Sequence, residues 1–113
     1  MVTHWANPDL HGDIVIARKD SPSAYHLAAT HDDALQEITH IIRGEDLIDA
    51  PHTQTLLQAL MGWPPVIYRH HPLVLDAYGR KLSKRQGSIS LADLRAAGRT
   101  AEIIRHQLGF SLM

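Results

Sequence analysis

The sequence has no cysteine among its 113 residues. That excludes a disulfide framework, a cysteine-based zinc site and a thiol nucleophile, and it fits a reducing compartment. Charge of one sign is not in excess: 11 Lys+Arg stand against 12 Asp+Glu, a formal net charge of -1. A polybasic surface acting on nucleic acid or membrane through bulk charge is excluded, while a local basic cluster is not. No apolar run approaches the ~20 residues that span a bilayer. Met1–Leu10 lacks the basic and apolar segments of a secretory signal. These absences predict a soluble, cytoplasmic protein with no membrane partner. What is present is 44% hydrophobic residues, enough for one small packed domain and no more.

Short apolar runs separated by turn residues predict strands at Ile14–Ala17, Ala24–Ala28 and Thr39–Arg43, with a fourth over Val66–Tyr68. Asp32 and Asp33 read as caps of a short helical turn through Gln36. The clearest helix runs from Ala50 to Met61, with Asp49 as N-cap, Pro51 in the first turn and Leu56, Leu57, Leu60 and Met61 on one face. Gly62 fits a left-handed C-terminal position, and Pro64–Pro65 stop the helix. Asp76–Gly79 reads as a turn. Ser90 and Asp93 form a capping box for a short helix, and Thr100 caps a last one. Helices alternating with apolar strands predict an α/β fold with a parallel sheet. The strand count suits half of a doubly wound sheet.

The segment that carries chemistry is Gly79–Gly87, in which four of nine residues are cationic. A basic loop between an extended segment and a capped helix suits a polyphosphate. Lys84 can set a point charge against developing phosphate charge, and Ser83 can donate a hydrogen bond. A solvated basic surface is the plainer reading of the charge alone. The Gly-x-x-x-x-Gly-Lys-Ser/Thr phosphate loop is absent. Arg43 ends a strand just before Gly44, where ligands sit in open α/β sheets. Glu45 and Asp46 read as a loop or helix start, where negative charge is favoured. The nine histidines include no His-Glu-x-x-His pattern, so a metal site is not expected. His70 and His71, adjacent in an extended segment, point to opposite faces. His26 and His40 read as core or site-wall residues, and Trp63 packs over a helix end.

Lys81–Leu82–Ser83–Lys84–Arg85 resembles the second signature of class I aminoacyl-tRNA synthetases in its Lys-Leu-Ser-Lys form. Tyr25–Ala28, Asp32–Gln36, Ile38–Leu47, Leu56–Trp63, His70–Leu73 and Ser90–Arg95 are similar, in order and spacing, to the glutamyl-tRNA synthetase group of that family. The resemblance covers about Gly12 to Gly109. Within the group it is greatest to the short glutamyl-Q tRNA(Asp) synthetases, through Gly12–Asp20, Ala34–Gln36 and the position of the C-terminus.

The resemblance implies ATP-dependent activation of glutamate and transfer to the queuosine base of tRNA(Asp), with Mg2+ accompanying the ATP and no zinc site. It implies the C-terminal half of a Rossmann-like nucleotide-binding domain over about residues 12–89, followed by short helices over 90–113, as one partial domain. By resemblance Tyr25 contacts glutamate, and Arg43 pairs with its side-chain carboxylate, a bidentate task that suits Arg over Lys. Lys84 matches the signature lysine on the ATP phosphates, and Lys81, Leu82, Ser83 and Arg85 complete that loop. Ala29 stands where ordinary glutamyl-tRNA synthetases have asparagine, and Glu37 where glycine is usual, which is expected to disturb a tight turn. The first class I signature, of the His-Ile-Gly-His type, does not occur in the sequence. The chain alone is therefore expected not to turn over, because one side of the triphosphate site is missing. The alternatives are a non-catalytic half that associates with an N-terminal half or with its own copy, and a piece of an ordinary glutamyl-tRNA synthetase.

Overall fold

The computed structural model describes residues 4–110. The chain divides into two compact units, one running to Pro72 and the other beginning at Leu73.

The first unit is built on a strand–helix–strand crossover. β1 (His40–Gly44) leads through a 3-10 turn at Glu45–Leu47 into α2 (Ala50–Met61), and the chain returns as β2 (Ile67–His71). The strands pair in parallel, with His40 opposite Ile67 and Gly44 opposite His71. Parallel neighbours need a long crossover, and α2 supplies it. The α/β class and the parallel pairing expected from the sequence are both present. Helix α1 (Tyr25–Leu35) precedes β1 and packs against α2.

Two expectations fail here. Ala24–Ala28 is not a strand: its residues from Tyr25 onward open α1. A short apolar run does not distinguish strand from helix by periodicity alone. Ile14–Ala17 joins no ladder. Instead the Ala24 amide donates to the Ile16 carbonyl at 2.8 Å, and the Arg18 amide to the Ser21 carbonyl at 2.8 Å, closing a local turn. As a consequence, Asp32 and Asp33 lie in the last turns of α1 and cap nothing. Asp49 does occupy the N-cap position of α2, but its side chain makes no capping hydrogen bond.

α2 ends as expected, with Gly62 left-handed at φ 68° and the Trp63 amide donating to the Gln58 carbonyl at 2.9 Å. α1 ends in the same motif without glycine. The Glu37 amide donates to the Ala34 carbonyl (3.2 Å) and the Ile38 amide to the Asp33 carbonyl (2.9 Å), with Glu37 at φ 56°. The turn forms, so Glu37 does not disrupt it. The residue is strained instead, because its Cβ crowds the following carbonyl in the left-handed region.

The buried face of α2 is not the expected one. Ala50, Thr53, Gln54, Leu57 and Gln58 are buried, whereas Leu60 is 72% exposed. Of the four apolar residues expected inside, only Leu57 is. Along the strands, Ile41, Arg43, Tyr68 and His70 alternate onto the more buried face, and Ile42 and Ile67 onto the other.

In the second unit, Leu75 and Lys81 form an antiparallel bridge across the expected Asp76–Gly79 turn. A 3-10 turn at Lys84–Gln86 follows, then α3 (Leu91–Ala96) and α4 (Ala101–Gln107). The Ser90–Asp93 capping box forms reciprocally, and Thr100 accepts from the Ile103 amide. Among the described residues, no helix is long and apolar enough to cross a membrane.

Candidate functional site

In the first unit the polar groups collect between α1, α2 and the sheet. Arg43 stands at the carboxyl end of β1, one residue before Gly44 and opposite His70 in register. Its guanidinium carbon lies 5.5 Å from the centroid of the Tyr68 ring. Tyr68 is held by Gln58, whose Nε2 donates to the phenol oxygen at 2.9 Å. Farther along α2, Gln54 Nε2 meets His26 Nδ1 at 3.4 Å. The fully buried Thr30 donates its hydroxyl back to the His26 carbonyl at 2.6 Å.

Among the described residues, four buried side-chain atoms of this unit have no hydrogen-bond partner: Arg43 Nη1, Gln54 Oε1, Gln58 Oε1 and His70 Nε2. Leaving one such group unsatisfied costs about 1–3 kcal/mol. Buried polar groups are ordinarily paired, so each of these four calls for a partner. Burial first, then the positive charges of Arg43 and His11, hold the His26 imidazole below its ordinary 6.5. Burial likewise raises the Tyr68 phenol above its ordinary 10.0. His26 is thus neutral at neutral pH.

Tyr25 is the first residue of α1 and is exposed, with its ring edge-on to that of His26 at 5.5 Å. It lines an open cleft of about 340 Å³ with Val15, Arg18, Ser21, Ser23 and Ala24. Tyr25 and Arg43 belong to the same unit, and both act electrostatically on Tyr68.

The basic loop lies in the second unit. Its backbone is pinned, Arg80 is paired with Asp76 at 3.0 Å, and Lys84 and Arg85 project. The Ser83 amide donates to Ser88 Oγ at 3.0 Å, and the Ser88 amide returns a bond to the Ser83 carbonyl at 3.3 Å. The Leu82 amide bonds the Val74 carbonyl, and Lys81 bridges Leu75. Lys84 and Arg85 sit exposed on the 3-10 turn, which closes at Gly87 with φ 66°. An exposed pair of cations on a fixed turn has the donor chemistry a triphosphate needs. Among the described residues no three His, Asp or Glu side chains gather as a metal-holding group.

Sequence reasoning missed Gln54, Gln58 and Tyr68. The available signal was the stripe at positions 50, 53, 54, 57 and 58, which has helical spacing but is half polar. His70 and His71 behave as expected, the first turned to the more buried face and the second exposed. His40 is exposed, and Trp63 packs its ring edge-on against His31 of α1 at 5.7 Å.

Residues 4–110 match the family of class I tRNA synthetases (E and Q), catalytic domain. A glutamyl-Q tRNA(Asp) synthetase of Rhodobacter capsulatus is 42% identical over 98 residues, covering 87% of this chain and 35% of that protein. A glutamate–tRNA ligase of Synechococcus sp. (strain CC9605) is 45% identical over 109 residues, covering 92% of this chain and 23% of that one. Among solved structures, the glutamate-tRNA synthetase of Elizabethkingia anophelis superposes with a TM-score of 0.58 at 39% identity, over 66% of this chain and 15% of that chain. The chain therefore spans about a third or less of the length of these relatives.

Proposed function

Because this chain belongs to the family of class I tRNA synthetases (E and Q), catalytic domain, we propose that it supplies the glutamate-recognising and lysine-signature parts of an ATP-dependent glutamate-activating site. The observation that carries this reading is Arg43. A guanidinium at the carboxyl end of a parallel strand, with no ion pair to a described carboxylate, is suited to a carboxylate ligand. In this reading Arg43 pairs with the glutamate side-chain carboxylate, and Tyr25 contacts the same substrate. Lys84 and Arg85, with Lys81, Leu82 and Ser83 shaping their loop, hold the ATP phosphates. The glutamate α-carboxylate displaces pyrophosphate from ATP, and Lys84 stabilises the charge that builds on the leaving phosphates. Residues 12–89 act as the second half of a Rossmann-like domain, with the helices over 90–113 following it.

The finer reading is transfer of glutamate to queuosine in tRNA(Asp), in the cytoplasm. Ala29 supports it, as does the 42% identity to the Rhodobacter relative. The 45% identity to a glutamate–tRNA ligase supports the rival, charging of an ordinary glutamate tRNA. A half-domain that associates without catalysis is supported by Ile42 and Ile67, which are 71% and 53% exposed on the uncovered sheet face.

The test is glutamate-dependent ATP–pyrophosphate exchange, by the chain alone and with an added polypeptide carrying the first class I signature. Exchange that needs the added polypeptide and is lost in Lys84→Ala supports the reading. The acceptor, queuosine-containing tRNA(Asp) or tRNA(Glu), then separates the two finer readings. No exchange in either mixture, together with no glutamate binding that Arg43→Lys abolishes, refutes it.

A further inference from the structure

We propose that Tyr68 and Gln58 are positioning residues that hold the Arg43 guanidinium while leaving its N–H groups free for a carboxylate. This rests on the reading of Arg43 as the carboxylate-binding group.

A buried arginine is usually fixed by an acidic partner, and that partner occupies the donors a ligand would need. Here the fixing contact is of a different kind. The Tyr68 ring lies beneath the guanidinium at 5.5 Å, and a cation over an aromatic face is held by the ring quadrupole with no N–H consumed. The register makes the contact. Ile41 opposes Tyr68 and Arg43 opposes His70, so Arg43 and Tyr68 are diagonal neighbours on one face, within reach of long side chains. The ring is fixed in turn. Gln58 is only 3% exposed and donates Nε2 to the Tyr68 hydroxyl at 2.9 Å. A helix on one side thus clamps a ring on the sheet, and the ring clamps the guanidinium. The outcome is a guanidinium with no hydrogen bond or ion pair to another described residue, its Nη1 included. Burial raises the Tyr68 phenol above its ordinary 10.0, so the ring under the guanidinium is neutral at neutral pH.

The test uses the whole 113-residue chain, labelled with nitrogen-15, and L-glutamate as probe. The Arg43 Nε–Hε resonance reports side-chain order directly, which a purely structural role for Tyr68 would not move while the backbone spectrum stays unchanged. In the parent protein this resonance is expected to be sharp and displaced by the ring current. Gln58→Leu and Tyr68→Phe should both broaden it and weaken glutamate binding about threefold, by freeing the ring. Tyr68→Leu, which removes the ring, should return the resonance to the ordinary arginine position and weaken binding about tenfold. Tyr68→Trp should restore both. A resonance and affinity unchanged in Gln58→Leu and Tyr68→Leu overturn the proposal. If Tyr68→Leu does not fold, Gln58→Leu and Tyr68→Phe carry the test with the same criterion. A parent protein that binds no glutamate but whose Arg43 resonance responds to these variants keeps the positioning role and defeats the substrate assignment. Glutamate binding that ignores them does the reverse.

Discussion

Glu37 offers the cleanest perturbation of the fold, because its backbone is strained and its side chain is idle. It holds φ 56° at the left-handed position of the motif that ends α1. α2, α3 and α4 end in the same hydrogen-bond pattern with Gly62, Gly98 and Gly109 at that position. A residue with a Cβ gives up about 1–2 kcal/mol there. Glycine recovers that and loses about 0.5–1 kcal/mol to the greater freedom of the unfolded chain. The Glu37 side chain makes no hydrogen bond or ion pair with another described residue, so nothing else is lost. Glu37→Gly should therefore stabilise the first unit by about 0.5–1 kcal/mol, a rise in Tm of about 3–6 °C for a unit of this size. Glu37→Asn should give a smaller rise, since asparagine tolerates the left-handed region. Glu37→Ala keeps the Cβ and should stay within about 0.5 kcal/mol of the parent. Trp63, which packs on His31 of α1, reports the unfolding of this unit by fluorescence in a Trp5→Phe background. A Tm for Glu37→Gly equal to or below that of Glu37→Ala refutes the left-handed assignment and the strain argument together.

Three further outcomes follow from the geometry. Stability of the first unit should fall as pH drops below about 6.5, because His26 has a lowered pKa when folded. Below 6.5 the unfolded chain takes up the proton first, so stability rises with pH through this window and levels off above it. His26→Gln should flatten that limb in urea melts followed from pH 5 to 8, and an unchanged slope would count against the burial of His26. Gln54→Met removes an orphaned buried oxygen at constant size and should leave stability unchanged or raise it by up to about 1 kcal/mol. A loss beyond about 2 kcal/mol that His26→Gln does not share would mean that Gln54 Oε1 is paired, since Gln54→Met also removes the Nε2 contact to His26 Nδ1. Ser90→Ala breaks the capping box, in which the Ser90 hydroxyl accepts from the Asp93 amide at 3.1 Å. It should cost about 1 kcal/mol, read as about fivefold faster hydrogen exchange of the α3 amides, with α4 unaffected.

Where the chain announces its ends chemically, the sequence was legible. Pro51, Gly62 and Pro64–Pro65 bracket α2 to within the observed Ala50–Met61. Ser90, Asp93 and Thr100 mark the starts of α3 and α4 through the hydrogen bonds they make. The third and fourth expected strands appear as β1 and β2, displaced at their ends by one to three residues. These signals are local and do not depend on what the element packs against. The α1 helix lacks them. Its N-cap is Ala24, which has no side-chain acceptor, and its last turns hold Asp32 and Asp33, charges that oppose the helix dipole. Its best-buried residue is Thr30, so no apolar stripe marked it as helical.

The failures on α1 and on the inner face of α2 have one cause. Hydrophobic periodicity finds the buried face only when the interior is apolar. In this unit the interior is mostly polar: Thr30, Thr53, Gln54 and Gln58 are buried beside only Ala50 and Leu57 among the described residues, while Leu35, Ile42 and Leu60 are each more than 70% exposed. A two-stranded sheet with helices on one side cannot enclose all of its apolar residues. What it does enclose are the groups that hold Arg43 and those left without partners around it. Polar groups in that position lower stability unless a ligand completes their hydrogen bonds. Residues that contradict folding propensity without an evident packing gain therefore point to binding. On this logic the misread helix faces follow from the buried Gln54 and Gln58, whose polar side chains no signature identified and whose Oε1 atoms have no partner among the described residues.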